Sequence, residues 1–153
     1  MRRKDKLIED KAIIQEILST TLICSIALFD TEYPYILPVN FGYADNALFF
    51  HGARVGRKVD LIKQNNKVGF EITHTHKIIK ADTSCDWTTQ YRSIIGVGTI
   101  EIITNFEEKK KGLDIIMQQH GKKENSYKDK VVERVAVFKL NIVSLTAKQS
   151  GVY

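Results

Sequence analysis

The chain has 153 residues, 43% hydrophobic and 27% charged, with a formal net charge of +5. That suits one domain spanning 1–153 with a real core; it excludes an unstructured polyelectrolyte and allows an anionic ligand without naming one. Two cysteines give no disulfide framework, and no apolar run is long enough to span a bilayer.

The opening MRRKDKLIEDK is charged and lacks the apolar stretch of a signal peptide, so a cytoplasmic location is expected, with no membrane partner. Asp10 is placed to cap a helix over Lys11 to Ser19, with Ile13, Ile14, Ile17 and Leu18 on one face. Leu22 to Phe29 reads as a strand. Tyr35 to Tyr43 reads as a second, which Pro38 demotes to an edge or a bulge. Asp45-Asn46 fits a tight hairpin turn, and Leu48 to His51 returns as a third strand. Val55, Val59 and Ile62 have helical spacing, so Gly56 to Gln64 reads as a helix. Val68 to His74 and Lys77 to Asp82 read as another pair of strands. Ser93 to Ile103 is a long strand in which Gly96 and Gly98 mark a bulge or a close approach. Asn105 followed by Glu108 resembles a capping box for a helix over Phe106 to His120. Val135 to Leu145 closes the chain as a strand. Short connections between most strands favour an antiparallel sheet or small barrel over a parallel sheet. The runs EEKKKG and GKKENSYKDK mix both signs and read as solvated faces rather than a nucleic-acid groove.

The stretch FFHGARVGRK, residues 49–58, carries chemistry. It is not a P-loop, because the glycine spacing is one residue short and Lys58 is followed by Val59. It is not a dinucleotide fingerprint, because no G-x-G-x-x-G occurs. Gly52 and Gly56 nevertheless permit a sharp turn and a close backbone approach. Arg57 and Lys58 stand at a helix start, where cations oppose the backbone dipole. A phosphate accepting from the first N–H groups and pairing with both cations would outweigh that opposition. The plainer alternative has Arg54, Arg57 and Lys58 facing solvent at the end of a hairpin.

The strings PYILPVNFGYADNALFFHGARVGRKVDLIKQNNKVGFE and ADTSCDWTTQYRSIIGVGTIEII resemble the Nim-type 5-nitroimidazole resistance proteins. These belong to the flavin-binding split-barrel superfamily of pyridoxamine 5'-phosphate oxidase. The resemblance covers nearly the whole chain and is densest in FFHGARVGRK and ADTSCDWTTQYRSIIG. It implies a mainly β fold with flanking helices, a six-stranded antiparallel Greek-key split barrel, and a homodimer with flavin at the subunit interface. The implied flavin is FMN, with FAD as the alternative. By the resemblance, Arg57 and Lys58 hold the flavin phosphate and Gly56 allows its approach. Pro38, Val39, Asn40 and Phe41 run beside the ring system, next to His51, Gly52 and Ala53. Arg92 and Ser93 reach the cofactor from the second subunit, and Trp87 and Tyr91 wall the pocket. The family's C-terminal tryptophan and arginine pattern is missing: the only tryptophan is Trp87 and the tail reads TAKQSGVY, which argues against vitamin B6 chemistry.

A reduced flavin delivers hydride, and nitro reduction also needs a proton. His51 is the candidate catalytic residue, as proton donor or as cationic anchor. The alternative is a histidine that merely hydrogen-bonds the turn. Glu71 and Asp82 are candidates to orient it. His74 and His76 share a strand face, but no further ligand spacing completes a metal site, so no metal is expected. Cys85 beside Asp86 is expected to pack or to line the pocket rather than to act as a thiolate, and Cys24 is expected in the core. The expected function is therefore a flavin-dependent oxidoreductase acting on small nitroaromatic compounds. A flavin or haem carrier without turnover, and a basic nucleic-acid-binding barrel, are the competing classes.

Overall fold

The computed structural model describes residues 4–151, without the side chains of residues 75 and 76. A two-residue strand β1 (Leu7–Ile8) leads into α1 (Lys11–Thr20), where Asp10 Oδ1 accepts from Ala12 N at 2.8 Å as the expected cap. Ile17 and Leu18 turn inward from this helix. The following strands are β2 (Ile23–Leu28), β3 (Tyr35–Asn40), β4 (Gly42–Ala44) and β5 (Ala47–Ala53). The strand expected over Tyr35 to Tyr43 is thus two strands. Phe41, fully buried, separates them, and its N–H turns to Leu22 O at 3.1 Å. Asp45 and Asn46 have φ of 50° and 58°, the left-handed pair that a two-residue hairpin requires.

Helix α2 (Arg57–Gln64) follows, then β6 (Lys67–Ile79), β7 (Thr88–Ile103), α3 (Phe106–Gln119), α4 (Asp129–Arg134) and β8 (Val135–Ser150). The two strands expected between Val68 and Asp82 are one. A register shift between Thr73 and Thr75 absorbs the irregularity that broke the pattern. A second shift, between Val97 and Gly98, is the bulge expected from the glycines of β7. Strands β7 and β8 run longer than expected because each remains paired beyond its apolar stretch, as at Tyr91 with Ser150. Helix α4 was not expected from the sequence.

All pairings are antiparallel, in the order β3-β2-β6-β7-β8-β5-β4, with β1 added to β8. Strands β3 and β4 stand at opposite ends of that order, yet only Phe41 separates them along the chain. The sheet must therefore curl until its ends meet, which makes a half-barrel. Eight strands replace the expected six because β1 and β4 are short additions at the margins. Pro38 lies on an end strand of the order, where a missing N–H costs no ladder bond.

Strand alternation separates two cores. Cys24, Ile26, Leu28, Phe50, Phe70, Ile72, Ile94, Phe138 and Leu140 fill the barrel, with Phe50 and Phe138 stacked at 4.8 Å. Phe49, Leu113, Ile116, Val132 and Val137 form a second cluster under α3. No helix among the described residues is long and apolar enough to cross a membrane.

Candidate functional site

On β5 the alternation that sends Phe50 into the barrel turns Phe49 and His51 to the other face. His51 is paired with Val137 of β8, its side chain is exposed, and its ring makes no hydrogen bond among the described residues. Partial burial, and then the positive charge of Lys58, hold its pKa below the ordinary histidine value. The imidazole is therefore mainly neutral at neutral pH, which favours an N–H donor over a cationic anchor.

Gly52, one residue on, faces the barrel mouth, where a Cβ would collide with Lys58 Nζ. The Lys58 side chain lies over the rings of Phe138 and Phe50, at 4.9 and 5.9 Å from their centroids. Burial lowers its pKa. No carboxylate among the described residues lies within ion-pair distance of it. Arg57 takes a different direction. Its Nε donates to Asp30 Oδ2 at 3.0 Å, its Nη2 bonds the same oxygen, and its guanidinium lies 5.0 Å from the Tyr35 ring. Hydrogen bonding by Arg57, then by the Thr31 backbone, holds the Asp30 carboxyl below the usual carboxylate range. The two cations expected to act side by side diverge because successive helix positions point about 100° apart.

The start of α2 is open. Gly56 has φ 111° and ψ 172°, and no side chain caps the helix. Nothing lies within 4 Å of where a Cβ at Gly56 would stand. First-turn N–H groups, an ammonium without a carboxylate and clear space in front of a glycine together fit a dianionic group.

The other expected site residues fall elsewhere. Val39 and Phe41 are buried in the barrel, so only their backbone can reach a ligand. Pro38 belongs to the outer face of the sheet, in a row running from Pro38 through Ser25 and Glu71 to Ile95. Asn40 and Ser93 flank that row on the same face. Arg92 turns the other way, to Glu16 of α1, with Nη1 3.3 Å from Oε2. Trp87 and Tyr91 are near the tip of the β6–β7 hairpin, where the exposed Trp87 indole donates to Ala81 O at 2.9 Å. His51 is level with Ile103 through Val137, and Tyr91 is about twelve residues back along β7, roughly 40 Å in an extended strand. One chain therefore does not bring His51 and the Trp87–Ser93 segment together.

Several secondary expectations are corrected by the same register. Glu71 pairs across from Ile95, and Asp82 is at the hairpin tip, so neither orients His51. Cys85 is exposed in a one-turn 3-10 helix rather than packed. Cys24 is in the core as expected, its thiol pushed up to about 12 by burial and then by Glu71. The register shift between Thr73 and Thr75 falls at His74. His74 Nδ1 is 3.1 Å from Thr21 Oγ1, while the side chain of His76 lies outside the described residues. Lys109, read within a solvated run, is only 7% exposed, because helical spacing places it with Leu113 and Ile116 on the inner face of α3.

Residues 10–149 match the family described as pyridoxamine 5'-phosphate oxidase. The chain belongs to that family. Among solved structures, it is similar to a candidate 5-nitroimidazole antibiotic resistance protein from Bacteroides thetaiotaomicron, at 33% identity and a TM-score of 0.84, covering 94% of this chain and 86% of that one. The flavocytochrome Anf3 from Azotobacter vinelandii shares 17% identity with a TM-score of 0.84, over 99% of this chain and 72% of that one. An FAD and haem binding protein from Mycobacterium smegmatis shares 20% identity with a TM-score of 0.85, over 97% and 75%. The last two likenesses establish the fold alone. A comparison with curated protein sequences found no match. Within the pyridoxamine 5'-phosphate oxidase fold, the open start of α2 has the N–H groups and the clear space in front of Gly56 that an anion would need.

Proposed function

We propose that this protein is a flavin-dependent oxidoreductase that reduces small nitroaromatic compounds of the 5-nitroimidazole type. It works as a homodimer with flavin, FMN rather than FAD, at the subunit interface. The observation that carries this reading is the uncapped start of α2, where open space in front of Gly56 adjoins the first N–H groups, with the Lys58 ammonium nearby over Phe50 and Phe138, in a chain of this family. The similarity to the Bacteroides protein supplies the substrate class.

A reduced flavin would supply the hydride; the chain's own residues bind and protonate. Lys58 and the first N–H groups of α2 neutralise the phosphate. Arg57, tied to Asp30, fixes the helix start against β3. His51, exposed and mainly neutral, offers an N–H to the nitro oxygen as negative charge develops there. Exposed Ile36, Ile95 and Val97 lie on the sheet face that carries Pro38, Asn40 and Ser93. A second copy covering that face would also bring its Trp87–Ser93 segment toward the first copy's flavin. These apolar residues support the dimer.

The test is mass spectrometry of the cofactor released from purified protein, followed by anaerobic titration of the reduced protein with a 5-nitroimidazole. A bound flavin reoxidised by the nitro compound is expected. A flavin that stays reduced would leave a carrier, and a Soret band in place of flavin absorbance would make it a haem carrier. His51→Ala is expected to retain flavin and lose most turnover, by about a hundredfold.

A further inference from the structure

A cleft of about 620 Å³ lies between α2 and α3, bordered on the α2 side by Arg54 and Val59, which flank the helix start. It is the size of many small-ligand sites. Lys58 and Ile62 of α2 face the barrel; Lys63 lines this cleft, and Val59, buried with the barrel core, borders it. Ile102, Phe106 and Val135 make apolar walls, and the charged lining is Arg54, Lys63, Lys109 and Glu133.

Two of the cations converge. Arg54 Nη1 and Lys109 Nζ both donate to the backbone carbonyl of Glu133, at 3.2 and 3.4 Å. A guanidinium and an ammonium thus share one neutral acceptor, the lysine stem being buried and its head reaching the cleft. No carboxylate among the described residues comes within ion-pair distance of either. Burial, and then repulsion by Arg54, lowers the Lys109 pKa, with partial relief from Glu133. Glu133 offsets only part of this charge: three cations against one carboxylate leave the cleft about two positive charges in excess.

We propose that this cleft is a second anion site that takes a small phosphomonoester with an aromatic or apolar body. Its dianionic head lies between Arg54 and Lys109, with Lys63 at the rim. Its body rests on Ile102, Phe106 and Val135. The ligand is separate from the flavin, so the cleft provides for a phosphorylated co-substrate or effector.

Calorimetric titration of the flavin-loaded protein with phenyl phosphate tests this, with phenol as the uncharged control. Saturable one-site binding of phenyl phosphate is expected, with none for phenol. Lys109→Met and Arg54→Gln should each weaken it by about tenfold or more, and Lys63→Gln by less. Flavin absorbance per protein should be the same in all three variants. Absence of saturable binding to the unmodified protein, or equal affinity in the Lys109 and Arg54 variants, would overturn the proposal. So would loss of flavin from both, which would assign the cleft to the flavin's own phosphate. If Lys109→Met does not fold, Arg54→Gln, at an exposed position, answers the same question. Protein purified without flavin would count against the function proposed above, while the same titration would still decide the cleft.

Discussion

At the end of β7 the chain enters α3 through Asn105, whose Oδ1 accepts from Glu108 N at 3.0 Å, and Glu107 and Glu108 occupy the first turn. At the end of β5 it enters α2 through Gly56, with no capping side chain and with Arg57 and Lys58 in the first turn. The α3 junction satisfies its own N–H groups and complements its dipole. The α2 junction has no capping side chain, and its first turn sets two cations against a single acidic residue, Asp60. Arg57 has to be tied to Asp30, and Lys58 is folded over two phenylalanine rings with its pKa depressed. One helix start is completed by its own residues; the other leaves room for the phosphate proposed above.

The largest expected difference between the junctions is in cofactor retention. Replacing both Arg57 and Lys58 by alanine should reduce bound flavin by about a hundredfold, read as absorbance per protein, with the circular dichroism spectrum unchanged. Unchanged flavin content would place the phosphate elsewhere. Gly56→Ala comes next. A φ of 111° with ψ of 172° is glycine-only territory, so this change should cost about 1–3 kcal/mol in denaturant unfolding and displace flavin as well. Asn105→Ala should cost about 1 kcal/mol through the lost cap of α3 and leave flavin content untouched. If it released flavin, the contrast between a structural and a functional helix start would fail.

Smaller effects probe the cost of keeping the second junction open. Lys58→Met should stabilise the flavin-free protein by about 0.5–2 kcal/mol, since it removes a partly desolvated charge that has no counter-ion. The same variant should bind flavin more weakly, and a destabilised apoprotein would contradict this account of Lys58. The smallest expected effect is a pH dependence at His51. Its folded pKa lies below the unfolded value, so the unfolded chain takes up the proton at a higher pH than the folded one. The stability contribution is fully present above the unfolded pKa and is lost as pH falls through the folded one. His51→Gln should flatten that part of the melting-temperature profile on the acid side of neutrality. A profile identical to the unmodified protein would mean that His51 is not held low.

Local patterns in the sequence determined the helix starts at Asp10 and Asn105, the Asp45-Asn46 hairpin and the alternation of β2, because each depends on neighbours a few residues apart. The family was legible too, since FFHGARVGRK and the segment around Trp87 are contiguous strings. What lay outside the reach of spacing was anything set by partners far along the chain. Pairing with distant strands fused two expected strands into β6 and lengthened β7 and β8 beyond their apolar runs. Curling of the sheet, forced by Phe41 between β3 and β4, decided which face each expected site residue presents. It set His51 at one end of the β7 register and Tyr91 near the other. Tertiary packing alone brought Arg54 and Lys109 to one carbonyl oxygen across more than fifty residues of chain. Their convergence depends on how α3 and α4 close over the sheet, and long-range closure of that kind leaves no periodic trace in a single sequence.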